Sequence, residues 1–384
     1  MVPDAFRWIA GVFGLALVIV TAGSLMRTLV VPRGVSSRLS VFVSRRVVRR
    51  TFLWISDRTE SYAIKDRILA LSAPMALVVV LIVWLLLFLL GFAMILWPLT
   101  GLSFAASLRE SGSSMLTLGF AGQDSVLPTI VYFLAAVTGL IVIALQIAYL
   151  PTLYGAFNRR ETLVTMLQSR AGAPAWGPEI LARHNTVGLL DNLRHFYGDW
   201  EQWSADVAES HSTYPVLVWF RSPHPLRSWI VGLIAVLDSA ALYQSVCPST
   251  APPETRLCIR MGFVCLRTIA DAIKMPYDPD PFPDEPIELT YEEFLGGVHR
   301  LEAAHFPMER TPEEAWPHFK GWRVNYESIA YRLANSVVAP PGPWTGTRDH
   351  LPGMTIVPQR PTDRRPGDKR HEDIPKADAS AWRA

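Results

Sequence analysis

Hydrophobic positions are unevenly spread along this chain. No Asp, Glu, Lys or Arg occurs at positions 8–26, 68–108 or 125–158. A helix needs about 20 apolar residues to cross a hydrocarbon core, so each interval has room for one span. The pattern predicts spans over 8–26, 74–97 and 127–149. Pro74 suits a first helical turn, and Trp97-Pro98 marks an interface and a stop. Between the second and third spans, residues 102–116 are too short and too rich in Ala, Ser and Gly to cross. Non-helical backbone at membrane depth persists only where protein packs around it or where it lines water. The stretch 99–125 therefore reads as a short re-entrant helix followed by an extended segment. An ordinary loop outside the membrane would also be rich in Ser and Gly.

Beyond Asn158 the apolar residues recur at helical spacing over about 161–167, 186–208, 226–244, 257–273, 291–305 and 312–338, with Pro-rich punctuation between several of them. The stretch 228–247 is apolar enough to cross, but Asp238 sits at its centre. A charge there costs at least about 2.5 kcal/mol, so a buried core helix is predicted. Residues 277–288 place acidic side chains among prolines without the Gly turn and terminal Glu of a calcium loop, and read as a solvated linker. The fold class is therefore an all-α integral membrane protein: three transmembrane helices with a re-entrant pore helix, plus an α-helical cytoplasmic domain. Its expected segments are an N-terminal span (1–31), a basic amphipathic stretch (32–69), a two-span module (70–156), a helical domain (157–338) and a disordered tail (339–384).

Charge adds orientation. The net charge is only +2, but nine basic residues, Arg33, Arg38, Arg45, Arg46, Arg49, Arg50, Arg58, Lys65 and Arg67, lie within residues 32–69, between the first and second spans. Short loops of this kind stay in the cytoplasm. This predicts a multi-pass protein of the plasma (inner) membrane with its N-terminus outside and everything after Tyr154 inside; Arg159 and Arg160 agree. Asp4 and Arg7 before the first span, with arginines after it, reverse the polarity of a secretory signal, so a retained anchor is expected. Residues 40–55 alternate arginines with Val, Phe52 and Trp54, which fits a helix in the headgroup layer of the lipid bilayer or a solvated basic loop.

Three cysteines, Cys247, Cys258 and Cys265, give no disulfide framework and no zinc spacing. His184, His195, His211, His224, Asp191 and Glu209 show neither triad nor metal-ligand spacing, and no Gly-x-Gly-x-x-Gly follows a strand. Neither an enzyme, a cofactor, a resident metal nor a nucleic-acid partner is expected.

The candidate chemistry lies in the re-entrant segment, which ends in Thr117-Leu118-Gly119-Phe120. Set between two spans, this string resembles the pore module of potassium-type cation channels, whose filter reads Thr-Val-Gly-Tyr-Gly or Thr-Leu-Gly-Phe-Gly. The resemblance covers about 74–154. It implies a homotetramer conducting K+ or another monovalent cation, with Thr117, Leu118, Gly119, Phe120 and Ala121 as the selectivity filter. The chain departs from the pattern at Ala121, where the family has its second filter glycine; Gly122 follows one place late. Arg109-Glu110 stand where the family has aromatics. On the third span, Ala135, Gly139, Val142 and Gln146 share one helical face. That face suits a water-filled pore with Gly139 as a gating hinge, and equally suits close helix packing. The alternative function is a membrane-anchored interaction or sensor protein whose helical domain is the working part, with an unknown ligand or partner.

Overall fold

The computed structural model describes residues 4–31 and 37–346. Every regular element among them is helical, and the chain divides into two units, one drawn from Met1–Ile55 and Leu71–Gly155, the other from Ser56–Ala70 and Ala156–Ala384.

The first unit holds α1 (Asp4–Leu29), α2 (Arg38–Val41), a π-helical stretch (Phe42–Arg49), α3 (Arg50–Ser56), which ends at the boundary, α5 (Ser72–Thr100), α6 (Phe104–Met115) and the first part of α7 (Val126–Ala171). Small residues set its helix packing. A Cβ on Gly14 would stand 2.6 Å from the Gly91 carbonyl oxygen, and one on Gly91 would stand 2.8 Å from Val18 Cγ2. The backbones of α1 and α5 therefore meet directly, as apolar helices do where no hydrophobic force separates lipid from partner. A hydroxyl ladder fixes the neighbouring turn. Trp84 Nε1 donates to Ser24 Oγ at 3.0 Å, Ser24 pairs with Ser37 at 2.7 Å, and Ser37 caps α2 through the Ser40 N–H. Trp84, Phe88, Phe92 and Leu96 recur every fourth residue on α5 and pack with Leu25, Met115, Ala135 and Val142.

The turn from α5 to α6 uses Gly101, left-handed at φ +68°, followed by Ser103, whose side chain accepts from the Ala106 N–H. At 12 residues, α6 is about 18 Å long, too short to span a hydrocarbon core of about 30 Å. Elsewhere α1, α5 and α7 leave Phe13, Ile19, Leu86, Phe133, Leu134 and Ile147 exposed, a surface compatible with lipid.

The second unit contains α4 (Tyr62–Ala70), the remainder of α7, α8 (Gly177–Thr186), α9 (Leu193–Thr213), a 3-10 turn (Pro215–Trp219), α10 (Trp229–Val246), α11 (Glu254–Ile273), α12 (Tyr291–Ala303), α13 (Pro312–Arg323) and α14 (Glu327–Ser336). Among the described residues, four helical stretches, Asp4–Leu29, Tyr62–Thr100 (α4 with α5), Val126–Ala171 and Trp229–Val246, are long and apolar enough to cross a membrane. The last is wholly covered by protein: each of its residues is buried. The charge at Asp238 has its partner inside the domain. Asp238 pairs with Arg323 and accepts a hydrogen bond from Tyr326 Oη at 2.7 Å. Arg323 also donates to Glu327 (2.8 Å), Tyr331 Oη (2.6 Å) and the Trp344 carbonyl (2.6 Å). A second buried arginine, Arg160, donates to the carbonyls of Leu217 and Phe220, each at 2.8 Å, and to Glu161 at 2.9 Å.

Several expected boundaries move. The expected helix 186–208 starts late: α8 closes at Thr186 and α9 opens at Leu193. The helix that carries the expected third span does not end at 149; α7 continues unbroken to Ala171 and absorbs the separate helix expected at 161–167. The single helix expected over 312–338 breaks between Arg323 and Glu327. Residues 56–70 of the basic stretch group with the helical domain, where Arg221 binds Asp66 and Tyr62 Oη. The helical domain also continues past 338. Ala339 is buried, and Trp344 packs on Phe294, Phe319 and Trp176. Only part of the expected tail, 347–384, lies outside the described residues.

Candidate functional site

The loop after α6 is built from the helix end outward. The Leu118 N–H donates to the Ser113 carbonyl at 2.7 Å, and the Thr117 N–H to the Ser114 carbonyl at 2.9 Å. These are the paired bonds of a Schellman cap, which demands a left-handed residue between them. That residue is Thr117, at φ +56°. A left-handed conformation costs a non-glycine residue about 1–2 kcal/mol, and a β-branched side chain makes it rarer still. Such strain persists only where the surroundings over-determine it.

Those surroundings centre on Ser113. Its carbonyl takes the Leu118 and Gly119 N–H groups, and its Oγ accepts from the Phe120 N–H (3.0 Å) and the Ala121 N–H (3.1 Å). Every backbone N–H from Thr117 to Ala121 thus points back into the last turn of α6. Among the described residues, nothing donates to the carbonyls of these five positions. Leu116 to Phe120 are all exposed in the single chain. Donors tied inward and carbonyls left without a donor stand at the negative end of a helix.

Left-handed backbone in this loop is confined to Thr117 and Gly119 (φ +70°). Neither Ala121 nor Gly122 adopts it, so nothing in the backbone requires glycine at either place. A Cβ on Gly119 would meet nothing within 4 Å, whereas one on Gly122 would touch the Tyr132 ring at 3.5 Å. Behind the loop, Tyr132 Oη on α7 donates to Glu110 Oε2 on α6 at 2.9 Å, with Glu110 itself buried. The Arg109 guanidinium lies 5.2 Å from the Phe120 ring centroid, a cation–π contact. Arg109 and Glu110, the departures from the resembled pattern, therefore brace the loop from two sides.

Ala135, Gly139, Val142 and Gln146 do share one face, and the structure turns it inward. Ala135 and Val142 are fully buried, and a Cβ on Gly139 would stand 2.1 Å from the Met115 carbonyl oxygen. Within the chain these small residues let α7 press against the end of α6; they face protein rather than an open cavity. Helix packing is the reading of this face that the geometry displays.

The remaining candidates are dispersed. His184 Nδ1 meets the Ile180 carbonyl at 2.7 Å, and His211 sits beside Arg160. Burial pushes the thiols of Cys258 and Cys265 up, which suits inert core residues. Among the described residues, no three His, Cys, Asp or Glu side chains gather where a metal could sit. The tie made by Ser113 and the Glu110–Tyr132 bond were not foreseen from the sequence, although Glu110 stood out as a departure from the resembled pattern. A carboxylate beside Arg109, following the uncharged interval 68–108, was the available signal for Glu110. No family model, curated protein or solved structure matches the chain.

Proposed function

We propose that this protein is a subunit of a passive cation channel, four copies surrounding a pore lined by the carbonyls of Thr117, Leu118, Gly119, Phe120 and Ala121. The observation that carries this reading is the Ser113 tie: all five N–H groups are directed into α6 and all five carbonyls are left without a donor. One chain supplies one edge of such a pore, which accounts for an exposed loop in the protomer and calls for a closed symmetric ring. Stacked carbonyls replace the hydration shell of K+ or another monovalent cation, and the α6 C-terminus adds its partial negative charge. With no left-handed residue at 121 or 122, the outermost carbonyl ring is less regular than the inner ones, which favours modest discrimination between K+ and Na+. The basic residues between α1 and α5 favour an inner-membrane protein with the N-terminus and filter outside and the helical domain in the cytoplasm.

The test is thallium or rubidium flux into liposomes containing the purified full chain, with native mass spectrometry on the same sample. Tetramers with measurable flux are expected. Gly119→Val, which forces a β-branched residue into φ +70°, should abolish flux without dispersing the tetramer. A monomer, or unchanged flux in that variant, overturns the reading.

A further inference from the structure

We propose that copies of this chain are joined through their helical domains, the loop 277–288 of one copy docking on the outer face of α11 in the next. The proposal goes beyond the conduction reading and stands whether or not the assembly conducts.

One side of α11 packs on α9, α10 and α14, and the other is uncovered. Two stripes run along the uncovered side. Leu257 and Val264 are exposed, with Met261 half-buried between them, the i, i+4, i+7 spacing of a single helical face. Beside them stand Arg256, Arg260 and Arg267. Among the described residues, none of these arginines has an acidic partner. Arg256 Nε donates to Gln244 Oε1 at 3.3 Å, and the Arg267 guanidinium lies 4.8 Å from the Phe263 ring centroid. Arginine and methionine are enriched where proteins meet.

The complement lies on the loop. There Asp278, Asp280, Asp284 and Glu285 surround Phe282, which is 71% exposed. Among the described residues, none of the four carboxylates forms an ion pair. The loop is also stiff. Pro279, Pro281 and Pro283 fix φ at alternate positions. Arg332 Nη1 donates to the Pro276 carbonyl and Lys320 Nζ to the Asp284 carbonyl, each at 2.7 Å. A segment already rigid loses little entropy on docking. An aromatic anchor among carboxylates answers an apolar stripe beside guanidiniums: Phe282 covers Leu257 and Val264, and the carboxylates accept charge-assisted hydrogen bonds from the arginines.

The two surfaces do not meet within one chain. Lys320 and Gly321 hold the loop against α13, whereas α11 is separated from α13 by α10, which packs on both. A surface and its complement at different places on one molecule make a heterologous contact, which repeats from copy to copy and closes into a ring where the rotation permits. Each chain carries one of each half, which makes a second copy the fitting occupant.

The experiment is cross-linking of the full chain in detergent. Cysteines are placed at two exposed positions, Val264→Cys in one variant and Asp284→Cys in another; the native cysteines are all buried. The variants carry different tags, are co-expressed, and are treated with a short bismaleimide. A link from 264 of one copy to 284 of the next is expected, identified by peptide mapping, with neither variant linking to itself. Arg260→Glu or Asp280→Lys, each at an exposed position, should cut the yield about tenfold, because like charges then face each other; the two reversals together should restore most of it. A link inside a single chain, a link between identical positions, oligomers without the 264–284 link, a monomer throughout, or undiminished yield in both single reversals overturns the proposal. Linked copies that carry no flux count against conduction alone, and conducting tetramers without the link count against this interface alone.

Discussion

Replacing Ser113 by Ala removes one oxygen and two hydrogen bonds, those from the Phe120 and Ala121 N–H groups at 3.0 and 3.1 Å. Ser113 is 1% exposed, so the methyl group is accommodated where the hydroxyl was. Phe120 is exposed and Ala121 half-buried, so the freed N–H groups reach water and incur no full desolvation penalty. Each bond is then worth about 0.5–1.5 kcal/mol net, and the pair about 2 kcal/mol, roughly a 30-fold shift away from the tied conformation. Amide hydrogen exchange reads this directly. Exchange at Phe120 and Ala121 should accelerate by about that factor while the α6 interior is unaffected. If the proposed pore is correct, thallium flux in liposomes should fall in parallel, because released N–H groups free the carbonyls to leave the proposed ion path. Ser113→Thr, which keeps a hydroxyl, should hold both values near wild type. Wild-type exchange and wild-type flux in a correctly assembled Ser113→Ala protein would falsify the claim that this side chain orients the loop.

Two further outcomes are expected. Gly139→Ala puts a methyl group against the Met115 carbonyl, where a Cβ would lie 2.1 Å from the oxygen; overpacking of this kind costs typically 1–3 kcal/mol, seen as a lower midpoint in calorimetric unfolding, and an unchanged midpoint refutes the close contact. His211 Nε2 lies 3.1 Å from Arg160 Nη1, and because a guanidinium only donates, the imidazole must be neutral there; burial first, then Arg160, hold its pKa well below 6.5. The folded state therefore binds fewer protons than the unfolded one, and stability present above about pH 6.5 is lost at about 1.4 kcal/mol per unit below it. Asp238, pushed up to about 6 by burial against the pull of Arg323, works in the opposite direction. The clean measurement is thus the difference between wild type and His211→Gln in urea unfolding from pH 7.5 to 5.5, expected to be about 1.4 kcal/mol; equal slopes refute the assignment.

The long uncharged intervals revealed α1, α5 and α7, because a hydrocarbon solvent demands an uninterrupted run and leaves that mark in one dimension. Asp238 revealed that α10 belongs to a core, because a central charge forbids lipid and requires a partner. The partner itself, Arg323, lies 85 residues along the chain, and no local pattern could name it. The same holds for Trp344, whose Pro/Gly-rich neighbours suggested a tail although its ring stacks in the domain core. On α7, spacing grouped Ala135, Gly139, Val142 and Gln146 correctly, but periodicity gives a face and not its direction. At the loop, Thr-Leu-Gly-Phe marked the place. The bond that shapes it comes from Ser113, one of several serines in α6 that are indistinguishable until the turn geometry is known.

The Arg323 cluster constrains how this sequence can drift. Loss of the guanidinium alone would strand Asp238 and Glu327 inside the domain, and loss of Asp238 alone would strand the guanidinium. Breaking a buried pair one partner at a time costs about 3–5 kcal/mol, a large share of the 5–15 kcal/mol that keeps a domain folded. Replacing the whole set with apolar side chains of similar volume can be neutral or better. Single-step mutational paths through these positions therefore cross a valley, while a concerted exchange does not. Relatives of this protein, when aligned, should carry Asp238, Arg323 and Glu327 together or lack all three.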